Sequence, residues 1–352
     1  MMILWLFNLS LGLSVLFIVF IENWFLIWVF IELVTALLVL LASGGLSPRV
    51  VEAISKYFVT QAIASIILLL GIMVRIYTIG EVGGFSSYNN VSLAFILSGL
   101  FIKIAVFPNP FWFVDVINGV GIKSGVYFVV VSKLVPLYLY ISLSQVDREL
   151  FFIVGGLGAV VVGSIYAINQ TSLRKIIALS SVAHLGWLVL GIPYLTFSTC
   201  IVLFIIYLLM VGPLLWIVGL YQIDDLNSTK HVYFNSSFLL IIIVSLLSLG
   251  GLPPLAGFAY KWVIFLGLFN AGKFLVCGLL VLMSVVSLFF YLRLCFSFYS
   301  SYLPETFPFF FGVLMSSNMG GKSFLIFIVG TCVVMLGGLL LMGPLTFTLL
   351  TW

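Results

Sequence analysis

The chain has 352 residues, of which 64% are hydrophobic and only 7% charged, with a formal net charge of +4. Its 14 basic and 10 acidic side chains cannot furnish a water-facing surface of ordinary charge density, which excludes a soluble globular domain. The positive excess forms no basic run, so a nucleic-acid partner is excluded and phospholipid headgroups account for it.

A span needs about 20 apolar residues, and loops fall where Gly, Pro, Asn and charge collect. The first spans are expected over 2–21 and 24–42, the former too long and too poor in basic residues for a signal peptide. The third runs over 54–77, after the breaker-rich segment 43–49. The fourth covers 92–123 and is interrupted at Pro108-Asn109-Pro110. Four uninterrupted spans follow over 124–144, 150–168, 174–190 and 196–221. The ninth, 236–270, is broken at Gly250-Gly251-Leu252-Pro253-Pro254, and the last two cover 273–298 and 324–347. Segments 81–90, 222–235 and 300–322 are expected loops. The pattern predicts an all-α polytopic membrane protein of about eleven helices, forming a single domain over 1–352.

Proline removes a backbone donor and clashes with the preceding turn, so a break at membrane depth must be shielded by protein or by a hydrated cavity. The two broken elements are five apart. Lys103 precedes the first break and Lys261 follows the second, the polarity expected of two inverted repeats over 2–145 and 150–299 followed by a helix over 324–347. Two kinks without function are the plainer alternative.

An ionisable residue inside a span costs roughly 2.5–3.5 kcal/mol on insertion scales, which makes each one a functional candidate. Glu32 lies about 12 Å into the second span by helical rise, too deep for a short carboxylate to reach water easily. Lys103 is comparably deep. Lys133 lies three residues before Pro136, where the helix can loosen and admit water, and Lys261 follows the second break. His184 lies ten residues into the seventh span, near Ser180. Desolvation disfavours a lone ammonium and a carboxylate beside it restores it, so a Glu32–Lys103 pair would control the proton on Lys103. Lys133, His184 and Lys261, joined by water and hydroxyls, would then pass protons onward. A structural ion pair is the plainer reading of Glu32 and Lys103. A core histidine held by Ser180 is the plainer reading of His184.

Other residues are read without chemistry. Glu52 and Lys56 suit an interfacial ion pair, and Arg174 and Lys175 a helix-end anchor. Trp5, Trp24, Trp28 and Trp352 suit the membrane interface, and Ala159 with Gly163 suits close helix packing. Cys200, Cys277, Cys295 and Cys332 lie singly in apolar runs, and His184 and His231 are the only histidines, so no metal or redox cofactor is expected in this chain. Moving a charge against about 150 mV needs roughly 3.5 kcal/mol. No nucleotide loop or iron–sulfur spacing is present to supply it, and an energy-yielding partner is expected.

Three stretches carry a family resemblance: Glu52-Ala53-Ile54-Ser55-Lys56-Tyr57-Phe58-Val59-Thr60-Gln61-Ala62-Ile63-Ala64-Ser65; Asn169-Gln170-Thr171-Ser172-Leu173-Arg174-Lys175 with Ser180-Ser181-Val182-Ala183-His184-Leu185-Gly186-Trp187; and Gly250-Gly251-Leu252-Pro253-Pro254-Leu255-Ala256-Gly257-Phe258 with Lys261-Trp262. In this order they resemble the chain 2 family of antiporter-like membrane subunits of NADH:ubiquinone oxidoreductase, respiratory complex I. The resemblance implies two inverted five-helix repeats, in the shortened form found in animal mitochondria, and proton translocation in the mitochondrial inner membrane beside other membrane-arm subunits. It implies NADH, FMN, iron–sulfur clusters and ubiquinone in partner subunits and none here. It carries the family's charged axis onto Glu32, Lys103, Lys133, Lys175 and Lys261, with His184 near it, and so moves Lys175 from anchor to relay. Two departures lie after Lys103: Pro110 stands where the family has His and Val114 where it has Pro, while Asp115 replaces the usual Glu. The rival reading from a different class is an Mrp-type cation/proton secondary transporter, and a third is a structural spacer.

Overall fold

A computed structural model describes residues 2–44, 47–80, 83, 88–143, 149–221, 223, 225–226 and 236–300. The expected helix over 324–347, with Cys332 and Trp352, and His231 in the expected loop 222–235 lie outside the described residues. The elements are α1 (Met2–Phe20), α2 (Trp24–Ala42), α3 (Pro48–Ile79), α4 (Asn90–Ile104), α5 (Phe111–Gly119), α6 (Ile122–Ser142) and α7 (Glu149–Ile168). They continue with α8 (Leu173–Gly191), α9 (Phe197–Leu220), α10 (Ser236–Gly250), α11 (Ala256–Asn270) and α12 (Phe274–Ser300). Among the described residues there is no β-strand, only isolated backbone bridges such as Asn23 with Gly83. Seven of these helices are long and apolar enough to cross a membrane, and the chain is a multi-pass membrane protein. It falls into two compact units that divide between Val162 and Gly163, within α7.

Helix starts follow local chemistry. Asn23 Oδ1 accepts from the Phe25 N–H at 3.0 Å to open α2, and Ser47 with Pro48 opens α3. That start is six residues earlier than expected. The 32 residues of α3 rise about 48 Å, more than the hydrocarbon core is thick, so its first turns reach the headgroup zone. Glu52 and Lys56 lie there, paired at 2.9 Å and exposed, with Asp115 of α5 3.1 Å from the same ammonium. Trp24, expected at an interface, is wholly buried and packs edge-on against Tyr88 at 6.1 Å. Trp28 donates its indole N–H to the Ser65 carbonyl at 3.1 Å.

In the first unit α4 and α6 are the most enclosed helices, and in the second α8 is buried from Leu173 to Gly191 apart from its first-turn Arg174 and Lys175. Helices apolar all round are the ones a bundle encloses. Small residues let neighbours approach. A Cβ on Gly99 of α4 would stand 2.9 Å from the Ala64 carbonyl oxygen of α3, and one on Gly163 would stand 2.8 Å from the Leu179 carbonyl oxygen and the Ala183 nitrogen of α8. The expected close packing at Gly163 is thus realised.

Both expected breaks are present and are built alike. After α4, Ala105 takes a left-handed conformation at φ 63° and the Val106 N–H returns to the Phe101 carbonyl at 3.0 Å. After α10, Gly251 does the same at φ 86° and the Leu252 N–H returns to the Leu247 carbonyl at 3.4 Å. Each is a Schellman-type stop, in which a left-handed residue closes the helix and satisfies a terminal carbonyl. The first helix therefore ends at Ile104, four residues ahead of Pro108, because the left-handed turn and not the proline terminates it.

Candidate functional site: buried lysines beside two helix breaks

In the first unit Lys103, in the last turn of α4, is 1% exposed, and its Nζ lies 3.5 Å from Glu32 Oε1 of α2, whose side chain is 34% exposed. A charge-assisted hydrogen bond runs at about 2.7–2.9 Å, so the two charges attract without a formed bond. Neither Lys103 Nζ nor Glu32 Oε1 has a hydrogen-bond partner among the described residues. A cavity of about 10 Å3 touches Lys103 and is also lined by Thr35, Tyr57, Gln61, Ser132 and Pro136, about the space that one water needs. Pro136 sits inside α6 without breaking it, and having no N–H it leaves the Ser132 carbonyl without its helical donor.

The break beside Lys103 is closed by a side chain from beyond it. Trp112 of α5 donates its indole N–H to the Ile102 carbonyl at 2.9 Å, which also accepts from the Ala105 N–H at 3.2 Å. Lys133 of α6 is fully buried, with its ammonium 3.7 Å from the centre of the Phe113 ring, a cation–π geometry. The proline in α6 was expected to bring water to Lys133. The cavity beside Pro136 is lined by Lys103, while the Lys133 ammonium lies over the Phe113 ring.

In the second unit the corresponding closure is made by the lysine itself. Lys261 of α11 reaches back across the break and donates to the Gly250 carbonyl at 3.0 Å, with Ser287 Oγ of α12 at 3.5 Å. A Cβ on Gly251 would meet Lys261 Nζ at 3.1 Å, so this glycine supplies both the left-handed turn and room for the lysine. His184 of α8 is buried, and three tyrosine rings, Tyr207, Tyr260 and Tyr291, stand 6.2, 5.6 and 6.4 Å from it between centroids. Tyr260, next to Lys261 in sequence, donates to the His184 backbone carbonyl at 2.6 Å. The expectation that Ser180 holds the imidazole fails: its hydroxyl donates to the Ile177 carbonyl at 2.8 Å, and His184 Nδ1 has no partner among the described residues. A hydroxyl one turn back on the same helix prefers the carbonyl directly above it.

Of the residues singled out in the sequence, Glu32 and Lys103 come together, as do His184 and the Tyr260-Lys261 pair. Lys175 sits half-buried in the first turn of α8. Gln61, inside the first family stretch, was given no role by sequence reasoning. It is 4% exposed on the cavity beside Lys103, and its Nε2 has no partner among the described residues. A neutral amide in an apolar run carries no charge signal. Its polarity against Ala62, Ile63 and Ala64 was the only cue.

The family profile described as "NADH:quinone oxidoreductase/Mrp antiporter, TM" matches residues 22–287. NADH-ubiquinone oxidoreductase chain 2 of Scyliorhinus canicula is 34% identical over 277 residues, 78% of this chain and 79% of that protein. The protein of the same name from Polypterus ornatipinnis is 32% identical over 336 residues, 95% of each chain. A chain in the structure of respiratory complex I from Thermus thermophilus superposes with a TM-score of 0.85 at 25% identity, covering 97% of this chain and 79% of that one. With two broken helices, a buried lysine at each and these relatives along most of its length, the chain belongs to the NADH-ubiquinone oxidoreductase chain 2 family of antiporter-like membrane proteins.

Proposed function

We propose that this chain is a proton-translocating subunit of the membrane arm of respiratory complex I, in the mitochondrial inner membrane. The observation that carries the reading is the Glu32–Lys103 pair, an ammonium 1% exposed and 3.5 Å from a carboxylate, beside a broken helix. A pair held at that distance without a hydrogen bond has two accessible arrangements, closer and further apart, and Lys103 keeps its proton in the first and yields it in the second. Lys133, Lys175, His184 and Lys261 are proposed to carry protons onward through hydroxyls and water, within two repeats over 2–145 and 150–299. The chain takes part in NADH:ubiquinone reduction only as a member of the complex. NADH, FMN, iron–sulfur clusters and ubiquinone belong to its partner subunits, and phospholipids surround its apolar faces.

The test begins with native membranes solubilised in mild detergent, separated on a native gel and stained for NADH oxidation, with this chain located by mass spectrometry. Co-migration with the stained complex is expected. Migration alone, or in a small complex without NADH activity, replaces the reading with an Mrp-type secondary transporter. In the assembled complex Lys103→Met is then expected to lower the protons moved per electron. A ratio equal to wild type would make the chain a spacer.

A further inference from the structure

We propose that Gln61 binds a water molecule against Lys103 Nζ and positions it as the group through which that lysine exchanges its proton; this inference rests on the function proposed above. Three observations converge. Gln61 and Lys103 line one cavity of about 10 Å3, the volume at which one water fits. Gln61 is 4% and Lys103 1% exposed, and Gln61 Nε2 and Lys103 Nζ are both buried donors without a partner among the described residues. The same cavity is lined by Ser132, whose carbonyl Pro136 leaves without its helical donor, and by Thr35.

The chemistry of these groups selects water over an ion or an organic ligand. Two donors facing one small space require an acceptor, which an apolar molecule is not. A metal cation is repelled by the ammonium, and an anion larger than water does not fit. A water oxygen accepts from Gln61 Nε2–H and Lys103 Nζ–H together and keeps two O–H bonds to donate to oxygens of the other lining residues, which is the full set of partners a buried water makes. When Lys103 yields its proton, an N–H bond breaks as an O–H bond forms on this water, and a different proton of that water passes to the next water or hydroxyl of the relay proposed above, so the water is regenerated. The amide remains neutral throughout. Gln61 is therefore a positioning residue, and its own side chain gains and loses no proton.

The test uses the intact complex. A density map of the wild-type complex resolving ordered solvent is expected to show a water within hydrogen-bonding distance of both Gln61 Nε2 and Lys103 Nζ; a map with ordered waters elsewhere and none here overturns the proposal without any variant. Gln61→Met, close in size and without a donor, is expected to assemble, to lack that water and to lower proton flux by up to about a hundredfold, the scale on which a misplaced reacting partner acts. Gln61→Asn retains the amide donor one methylene further back and is expected to recover part of the loss, which a purely packing role would not produce. Flux unchanged in Gln61→Met, or no recovery in Gln61→Asn, overturns the proposal. Lys103→Met separates the two levels: if it lowers pumping and Gln61→Met does not, only this inference falls, whereas if neither does, the proton-translocating reading falls with it.

Discussion

At the scale of single residues the Glu32–Lys103 pair is asymmetric, and the asymmetry sets what each substitution does. Removing Glu32 leaves a wholly buried ammonium with no counter-charge, whereas removing Lys103 leaves a carboxylate whose side chain is one-third exposed at the surface of the subunit. Taking one partner from a buried pair costs on the order of 3–5 kcal/mol, while replacing a buried ion by an apolar group of similar volume is often neutral or stabilising. Glu32→Gln, which keeps a carbonyl acceptor, is thus expected to destabilise the complex by about 2–3 kcal/mol, and Lys103→Met by less than about 1 kcal/mol. Thermal melting of the purified complex measures both. Equal shifts for the two variants would contradict the burial difference. Burial of Lys103 was legible from a charge set in an apolar run. Gln61 was not, since what marks it is the lack of a partner, a property of its surroundings.

At the scale of elements the two breaks share a left-handed stop but differ in the residue that makes it. Alanine in that conformation costs roughly 1–2 kcal/mol, and glycine avoids the cost. Ala105→Gly is expected to stabilise the fold by about 1 kcal/mol. Gly251→Ala is expected to destabilise it by about 2 kcal/mol, adding the backbone cost to the crowding of Lys261, and opposite shifts in melting temperature are the readout. A harsher limit applies at Gly257 of α11, where a Cβ would collide with the Ser248 carbonyl oxygen of α10. Gly257→Ala is expected to prevent the two half-helices from seating, seen as loss of the assembled complex on a native gel; normal assembly would show that the break can open. The prolines announced both breaks in the sequence. Their construction was hidden, because the stop at Ala105 depends on a backbone conformation that alanine adopts only under tertiary constraint.

At the scale of the whole molecule the described helices present apolar side chains outward as well as inward. On α12, Leu275, Leu282, Val285, Phe289 and Phe296 are exposed, while Leu280, Ser287, Tyr291 and Leu294 are buried. Outward apolar surface of this extent belongs against lipid or a neighbouring subunit. A carbene reagent dissolved in the bilayer is expected to label the first set in the separated subunit and to spare the second. Those of the first set that become protected in the intact complex are the ones a partner covers. Labelling of Leu280 or Leu294 at the level of Leu282 would mean that α12 is turned the other way.

The membrane class and the positions of the two breaks were settled by sequence alone, because hydrocarbon demands long apolar runs and makes a proline inside one conspicuous. Tertiary structure alone decided which charges meet, that Trp24 is buried, and that Gln61 and Lys103 line one cavity. The reason is physical. In water a helix declares its inner face by being apolar on one side, whereas in lipid both faces are apolar, so the pattern that marks α12 as a span is silent about which of its residues look inward.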